Sequence, residues 1–205
     1  MNATRIISWG ESAPDNLRAV ESAVAALKAG GLIVMPTDTV YGVAADARNP
    51  EATALLFDAK RRDRGKPIPL LASGIAQVEA QSAKLGKTGR RLAARYWPGG
   101  LTLVLKTGNT WEGFRVPAHP AALAILGKFG NLLRATSANI SGQPCAFTVS
   151  GILEALGPAV EIAVDAGPAA SGKPSTVLKI DSEQLEIIRE GAIPISEIRA
   201  FLATG

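Results

Sequence analysis

Apolar residues first recur at helical spacing at Leu17, Val20, Val24 and Leu27, and Gly30-Gly31 close the run. This pattern predicts an amphipathic helix. Leu32 to Met35 is a short apolar block of strand length. After Pro36 the chain turns polar through Thr37-Asp38-Thr39, and a second strand is expected around Val43 to Ala45. Asn49-Pro50-Glu51 reads as the cap, first residue and first-turn acid of a helix reaching about Lys60. A strand near Ile68 to Leu71 and two helical stretches over roughly residues 75–97 follow. Pro98-Gly99-Gly100 breaks them, and Leu101 to Leu105 is strongly β-type. Phe114-Arg115-Val116 reads as a short strand, His119-Pro120 opens a helix, and Leu132 to Ala135 is a strand ending in Thr136-Ser137-Ala138-Asn139. Further strands are expected near 160–164, 175–180 and 185–189, with a terminal helix from Pro194.

Helices and strands alternate throughout, which predicts an α/β fold. Glycine-rich returns after residue 165 add antiparallel pairing, so the expected core is a twisted mixed sheet flanked by helices. No repeat, low-complexity tract or linker divides the chain, and one domain over residues 1–205 is expected.

Composition narrows the chemistry. Cys145 and His119 are the single cysteine and histidine, which argues against a zinc site, a Cys-His pair and an internal disulfide. The first residues lack the apolar core of a secretory signal, and no apolar run is long enough to span a bilayer. A cytoplasmic protein without a membrane segment is the expectation. Net charge is +4, and ten of the 22 basic residues fall between Lys60 and Arg95, against only Asp63 and Glu79 as acids there. That stretch reads either as solvated helix faces or as an anion-attracting face for nucleotide phosphates or RNA.

Four polar segments stand at strand ends, where open α/β sheets gather ligands. Thr37 to Gly42 places two hydroxyls around a carboxylate, as a capped turn or as a small polar-substrate site. Lys60-Arg61-Arg62 with Lys66-Pro67 follows a helix end, and reads as a helix-dipole contact or as a triphosphate clamp in which Arg is the fork and Lys a mobile point charge. Arg115 sits in an apolar strand context and needs an acid or a ligand anion. Thr136 to Gly142 is a cluster of donors, suited to a turn or to a ligand. Ser175-Thr176-Val177 and Arg189 form a lesser echo. No GxxxxGK[ST] or GxGxxG occurs. The inventory has no activated nucleophile, carboxylate pair or metal cluster. It suits positioning and charge stabilisation in phosphoryl or nucleotidyl transfer.

In this order the segments resemble the YrdC/TsaC family of threonylcarbamoyl-AMP synthases. The resemblance rests on GGLIVMPTDTVYGV, Lys60 and Arg62 as K-x-R with KP at Lys66-Pro67, WPGGLTLVL, RVP at Arg115, Ser137 and Asn139 as S-x-N within TSANISG, and STV at Ser175. It runs from about Leu17 to the strand carrying Arg189. It implies a YrdC-like fold and a nucleotidyltransferase that joins L-threonine, bicarbonate and ATP into threonylcarbamoyl-AMP and pyrophosphate, with Mg²⁺. A separate threonylcarbamoyl transferase complex then modifies tRNA. The resemblance puts threonine near Thr37, Thr39, Tyr41, Arg115, Ala135 and Ser175. It puts ATP near Lys60, Arg62, Lys66, Ser137, Asn139, Cys145 and Arg189, with Lys60, Arg62, Ser137 and Asn139 in the catalytic set. Ser137 and Asn139 would donate to phosphate or ribose.

Three departures stand out. Asp63 takes the place of the Pro usual after K-x-R, Leu71 replaces a polar residue near the threonine site, and the chain lacks the extra C-terminal domain of longer members, like the short single-domain type. The intact S-x-N argues against a sister branch that lacks it. Two other readings stay open: a non-catalytic RNA-binding module, or tRNA contact through the basic face, and a carbamoyl-transfer domain. Only 5% of the chain is aromatic, which disfavours recognition by base stacking.

Overall fold

The computed structural model describes residues 3–204. The strands are β1 (Arg5–Ser8), β2 (Leu32–Met35), β3 (Gly42–Asp46), β4 (Leu70–Leu71), β5 (Leu101–Thr107), β6 (Thr110–Arg115), β7 (Leu133–Ser137), β8 (Val160–Asp165), β9 (Thr176–Asp181) and β10 (Gln184–Arg189). The helices are α1 (Ala13–Lys28), α2 (Pro50–Ala59), α3 (Ile75–Glu79), α4 (Gly86–Tyr96), α5 (Pro120–Phe129), α6 (Val149–Leu156) and α7 (Ile195–Ala203).

One ten-stranded sheet carries the order β1-β8-β2-β3-β7-β4-β6-β5-β9-β10. It is mixed, as the sequence predicts. β1, β8 and β2 run parallel, β2-β3-β7-β4 alternate antiparallel, and β9-β10 form an antiparallel hairpin. Central strands are buried on both faces, so their side chains alternate between two apolar layers. Ile33 and Met35 face a cluster with α1 and α5, while Leu32 and Val34 face one with α2 and α6. A third cluster joins α4 and α7 to β5, β6 and β9.

The helix starts obey local chemistry. Asn49 Oδ1 accepts from the Ala52 amide at 2.9 Å, and His119 Nδ1 accepts from Ala121 at 3.1 Å. Burial holds the His119 pKa below its ordinary value, partly opposed by Asp38. That favours the neutral ring which can accept at Nδ1.

Several elements differ from the sequence expectation. Leu17 is 55% exposed, whereas Val20, Val24 and Leu27 are buried as expected and are joined by the small residues Ala19, Ala23 and Ala26. β1 escaped notice because it is an edge strand with only Ile7 buried. α6 also escaped notice, although Thr148 caps it by accepting from Gly151. β6 begins four residues before Phe114, since its half-exposed first part pairs with β5 and carries no apolar run. The β9-β10 return uses Ser182 and Glu183 at φ 47° and 72°, rather than glycine.

Candidate active site

A cleft of about 780 Å³ opens where β2, β4, β6, β7 and β10 end and β3, β5 and β9 begin. Thr37, Thr39, Arg62, Lys66 and Arg115 line it, as do Tyr41, Ala135, Ser137, Ser175 and Arg189. Segments far apart in sequence therefore share one wall. Four cationic side chains face the cleft, and no carboxylate, histidine or cysteine lines it among the described residues.

The β2-β3 loop is folded by its own hydroxyls. Thr37 Oγ1 donates to the Val40 carbonyl at 2.6 Å, accepts from the Thr39 amide at 3.2 Å, and lies 3.0 Å from Thr39 Oγ1. Tyr41 lines the cleft, but its hydroxyl is engaged elsewhere. That hydroxyl donates to the Gly167 carbonyl at 2.7 Å and accepts from the Ala166 amide at 3.0 Å. Burial raises its pKa.

β6 delivers Arg115 at its last position. Nε donates to the Gly99 carbonyl at 2.9 Å, Nη1 to Thr39 Oγ1 at 2.9 Å, and Nη2 to Asp38 Oδ1 at 2.6 Å. Burial pulls the guanidinium pKa down, and Asp38 opposes that. The sequence leaves this Arg to meet either an acid or a ligand anion. The structure supplies an acid: Asp38, in the neighbouring loop, is its partner. Three of five N–H donors are engaged, so one on each terminal nitrogen stays open to a planar anion.

Arg62 and Lys66 line the cleft from the loop after α2. Arg62 Nε and Nη2 donate to the carbonyls of Lys66 and Pro67, both at 3.0 Å. Asp63 Oδ1 accepts the Gly65 amide at 2.9 Å and its carbonyl accepts the Lys66 amide at 3.0 Å, while its charge partly opposes the burial that lowers the Arg62 pKa. Asp63 thus closes this loop by an Asx-type turn.

Lys60 differs from the reading of a mobile point charge. It is 1% exposed, and its ammonium donates to the carbonyls of Ser137 and Asn139 at 2.5 and 2.6 Å and to Asn139 Oδ1 at 3.3 Å. Desolvation first, and Arg62 second, lower its pKa to about 8, against an opposing pull from Cys145. Asn139 is also buried. The Ser137 hydroxyl donates to Asn139 Oδ1 at 2.6 Å, and Asn139 Nδ2 donates to the Gln143 carbonyl at 2.5 Å. In this arrangement the pair bonds internally rather than donating into the cleft. Cys145 is half-buried and does not line it.

On the β9-β10 side, Arg189 Nη2 and Nε donate to the Ser175 carbonyl at 2.8 and 3.2 Å. Ser175 Oγ lies 2.8 Å from Thr102 Oγ1. Sequence reasoning missed Thr102, Pro174, Val177 and Ile188 as cleft residues. Thr102 carried a signal, as the one polar side chain within the apolar run Leu101 to Leu105.

For a metal, no group of three or more His, Cys, Asp or Glu side chains gathers among the described residues. The cations suit a metal only as it rides on a substrate's phosphates, where Mg²⁺ is often held.

Comparisons with known proteins agree with this picture. A Mycobacterium leprae protein named for threonylcarbamoyl-AMP synthase is 37% identical over 195 residues, 90% of this chain and 88% of that protein. The Bacillus subtilis protein named threonylcarbamoyl-AMP synthase is 31% identical over 89% of this chain, which spans 56% of that longer protein. The crystal structure of P. abyssi Sua5 complexed with L-threonine superposes with a TM-score of 0.89 at 29% identity, covering 97% of this chain and 61% of that one. The profile of the Sua5/yciO/yrdC family, described as telomere recombination, matches residues 25–191. With that match and relatives above 30% identity over most of its length, the chain belongs to the Sua5/YciO/YrdC family.

Proposed function

We propose that the protein is an L-threonylcarbamoyl-AMP synthase, a nucleotidyltransferase acting on L-threonine, bicarbonate and ATP. The observation that carries this reading is the acid-free cleft, with Arg62, Lys66, Arg115 and Arg189 set among the hydroxyls of Thr37, Thr39, Ser137 and Ser175. The names of the relatives and the threonine complex of P. abyssi Sua5 support the same substrates.

The chemistry needs no protein nucleophile. Threonine's amine and bicarbonate give a carbamate and water. A carbamate oxygen attacks the α-phosphorus of MgATP, the bond to the β-phosphate bridging oxygen breaks, and pyrophosphate leaves with that electron pair. The open donors of Arg115 fit the threonine carboxylate, with Thr39 and Ser175 close by. Arg62, Lys66 and Arg189 neutralise the triphosphate and the departing pyrophosphate, beside Ser137. Mg²⁺ enters on the phosphates and is carried by the substrate.

The adenylate then passes to a tRNA-modifying transferase complex. That onward use in tRNA modification goes with a cytoplasmic setting. No helix among the described residues is long and apolar enough to cross a membrane. The non-catalytic RNA-binding reading is the weaker one. Part of the basic face is engaged within the fold, since Arg90 pairs with Glu79 and Arg91 donates to the Phe201 carbonyl at 3.3 Å. Pyrophosphate release from purified protein tests the proposal. It should require threonine and bicarbonate together, and ATP turnover indifferent to threonine would overturn it.

A further inference from the structure

Lys60 and Arg62 stand two residues apart but serve opposite sides of the same wall. Arg62 lines the cleft, whereas Lys60 is buried beneath it at the end of α2. Lys60 clasps the segment after β7 from both ends of its own structure. Its carbonyl accepts from the Ser141 amide at 2.9 Å, and its ammonium donates to the carbonyls of Ser137 and Asn139 and to Asn139 Oδ1. Asn139 Oδ1 also takes the Ser137 hydroxyl, and Asn139 Nδ2 closes the turn on Gln143. The Ala138 amide ties the same turn to the Tyr41 carbonyl at 2.8 Å.

We propose that Lys60 is a positioning residue: it holds the Ser137–Gln143 turn in place from beneath and makes no contact with the phosphates. A fully buried ammonium whose donors meet three protein acceptors has nothing left to offer a ligand. Its consequence for turnover rests on the adenylating reading above, but its structural core does not. The carbonyls it gathers belong to the turn that sets Ser137 at the cleft wall, so loosening the turn moves that wall. The charged or titratable groups bearing on the amine are Arg62 and Cys145.

Two measurements need no turnover. First, wild-type protein without ligand is treated with an amine-acetylating reagent and read by peptide mass analysis. Lys60 should stay unmodified while Lys66 reacts. Labelling of Lys60 alongside Lys66, with protection on adding ATP, would overturn the proposal in favour of direct phosphate contact. Because this uses the native chain, it decides even if substitutions misfold. Second, Lys60→Met should speed amide exchange at Asn139, Ser141 and Gln143 by roughly tenfold to a hundredfold in the free protein, leaving β8 and α1 unchanged. Unchanged exchange in the turn would also overturn it.

A third readout separates positioning from general stability. Turnover of Lys60→Met per folded molecule should fall through kcat, while the KM for threonine, which is read by Arg115 on another strand, holds. A normal kcat per folded molecule contradicts the assignment. Absence of turnover in the wild type would strike the adenylating reading alone, leaving the labelling and exchange results to judge the turn.

Discussion

Asp38 Oδ1 lies 2.6 Å from Nη2 of Arg115 and 2.9 Å from the Ala118 amide, so one carboxylate oxygen both neutralises a buried guanidinium and pins the start of the next segment. Arg115 is only 8% exposed at its side chain, against 20% for Asp38. Removing one member of such a pair leaves the other charge stranded. Asp38→Ala should therefore lower unfolding free energy by roughly 3 kcal/mol, read by urea titration. Unchanged stability would mean that Gly99 and Thr39 satisfy Arg115 without it.

Arg115→Lys should not be conservative. An ammonium cannot reproduce the three-way fan to Gly99, Thr39 and Asp38 and still present two parallel donors. Threonine affinity should fall roughly tenfold to a hundredfold, with ATP affinity nearly unchanged. Separate calorimetric titrations check this. A loss on the ATP side would move Arg115 to the nucleotide site.

Tyr41→Phe should separate the ring from the hydroxyl. The hydroxyl serves Gly167 and Ala166, so its loss should cost about 1–2 kcal/mol of stability and leave threonine affinity unchanged. A drop in affinity with normal stability would return the hydroxyl to the cleft.

Arg62→Ala should remove turnover with little change in melting temperature. Its two backbone acceptors, Lys66 and Pro67, lie in an exposed loop, where truncation usually changes stability by about 0.5 kcal/mol or less. Comparing initial rate with melting temperature decides between this role and a structural one.

Lys60 should also leave a mark on stability. Its folded pKa, about 8, lies below the ordinary 10.5. Between those values the unfolded chain keeps a proton that the folded chain has released. The Lys60 contribution is thus fully present above about 10.5 and is lost as pH falls through about 8. Unfolding free energy of the wild type relative to Lys60→Met should rise across that window and stay flat below it. The opposite slope would show that the buried amine holds its proton more tightly than free lysine.

Much of this was legible in the residues. Asn49 and His119 announced their helices by capping chemistry, and the blocks Leu32 to Met35 and Val160 to Val164 announced two central strands by length and apolarity. The exposed edge strand β10 was legible near 185–189, but β1 and the first half of β6 were not, because they carry no apolar run and owe their form to strand pairing. The site followed the same division. Motifs pointed to Arg62, Arg115 and Ser137, which line the cleft, but burial decides direction, and burial is a property of the assembled fold. Lys60 and Arg62 look alike in sequence, yet only one reaches the cleft.

The register of β3 against β7 sets Gly42 opposite Ser137 and Ala44 opposite Ala135. Side chains on a strand alternate faces, so a one-residue slip there would exchange every inward and outward position at once. Ser137 would turn from the cleft and the Lys60 clasp would lose its carbonyls in the same step. Over evolutionary time this wall can therefore accept replacements one side chain at a time, but it resists any change in chain length. Insertions and deletions should be confined to places such as the exposed Gly10-Glu11 link between β1 and α1, where no strand register depends on the count.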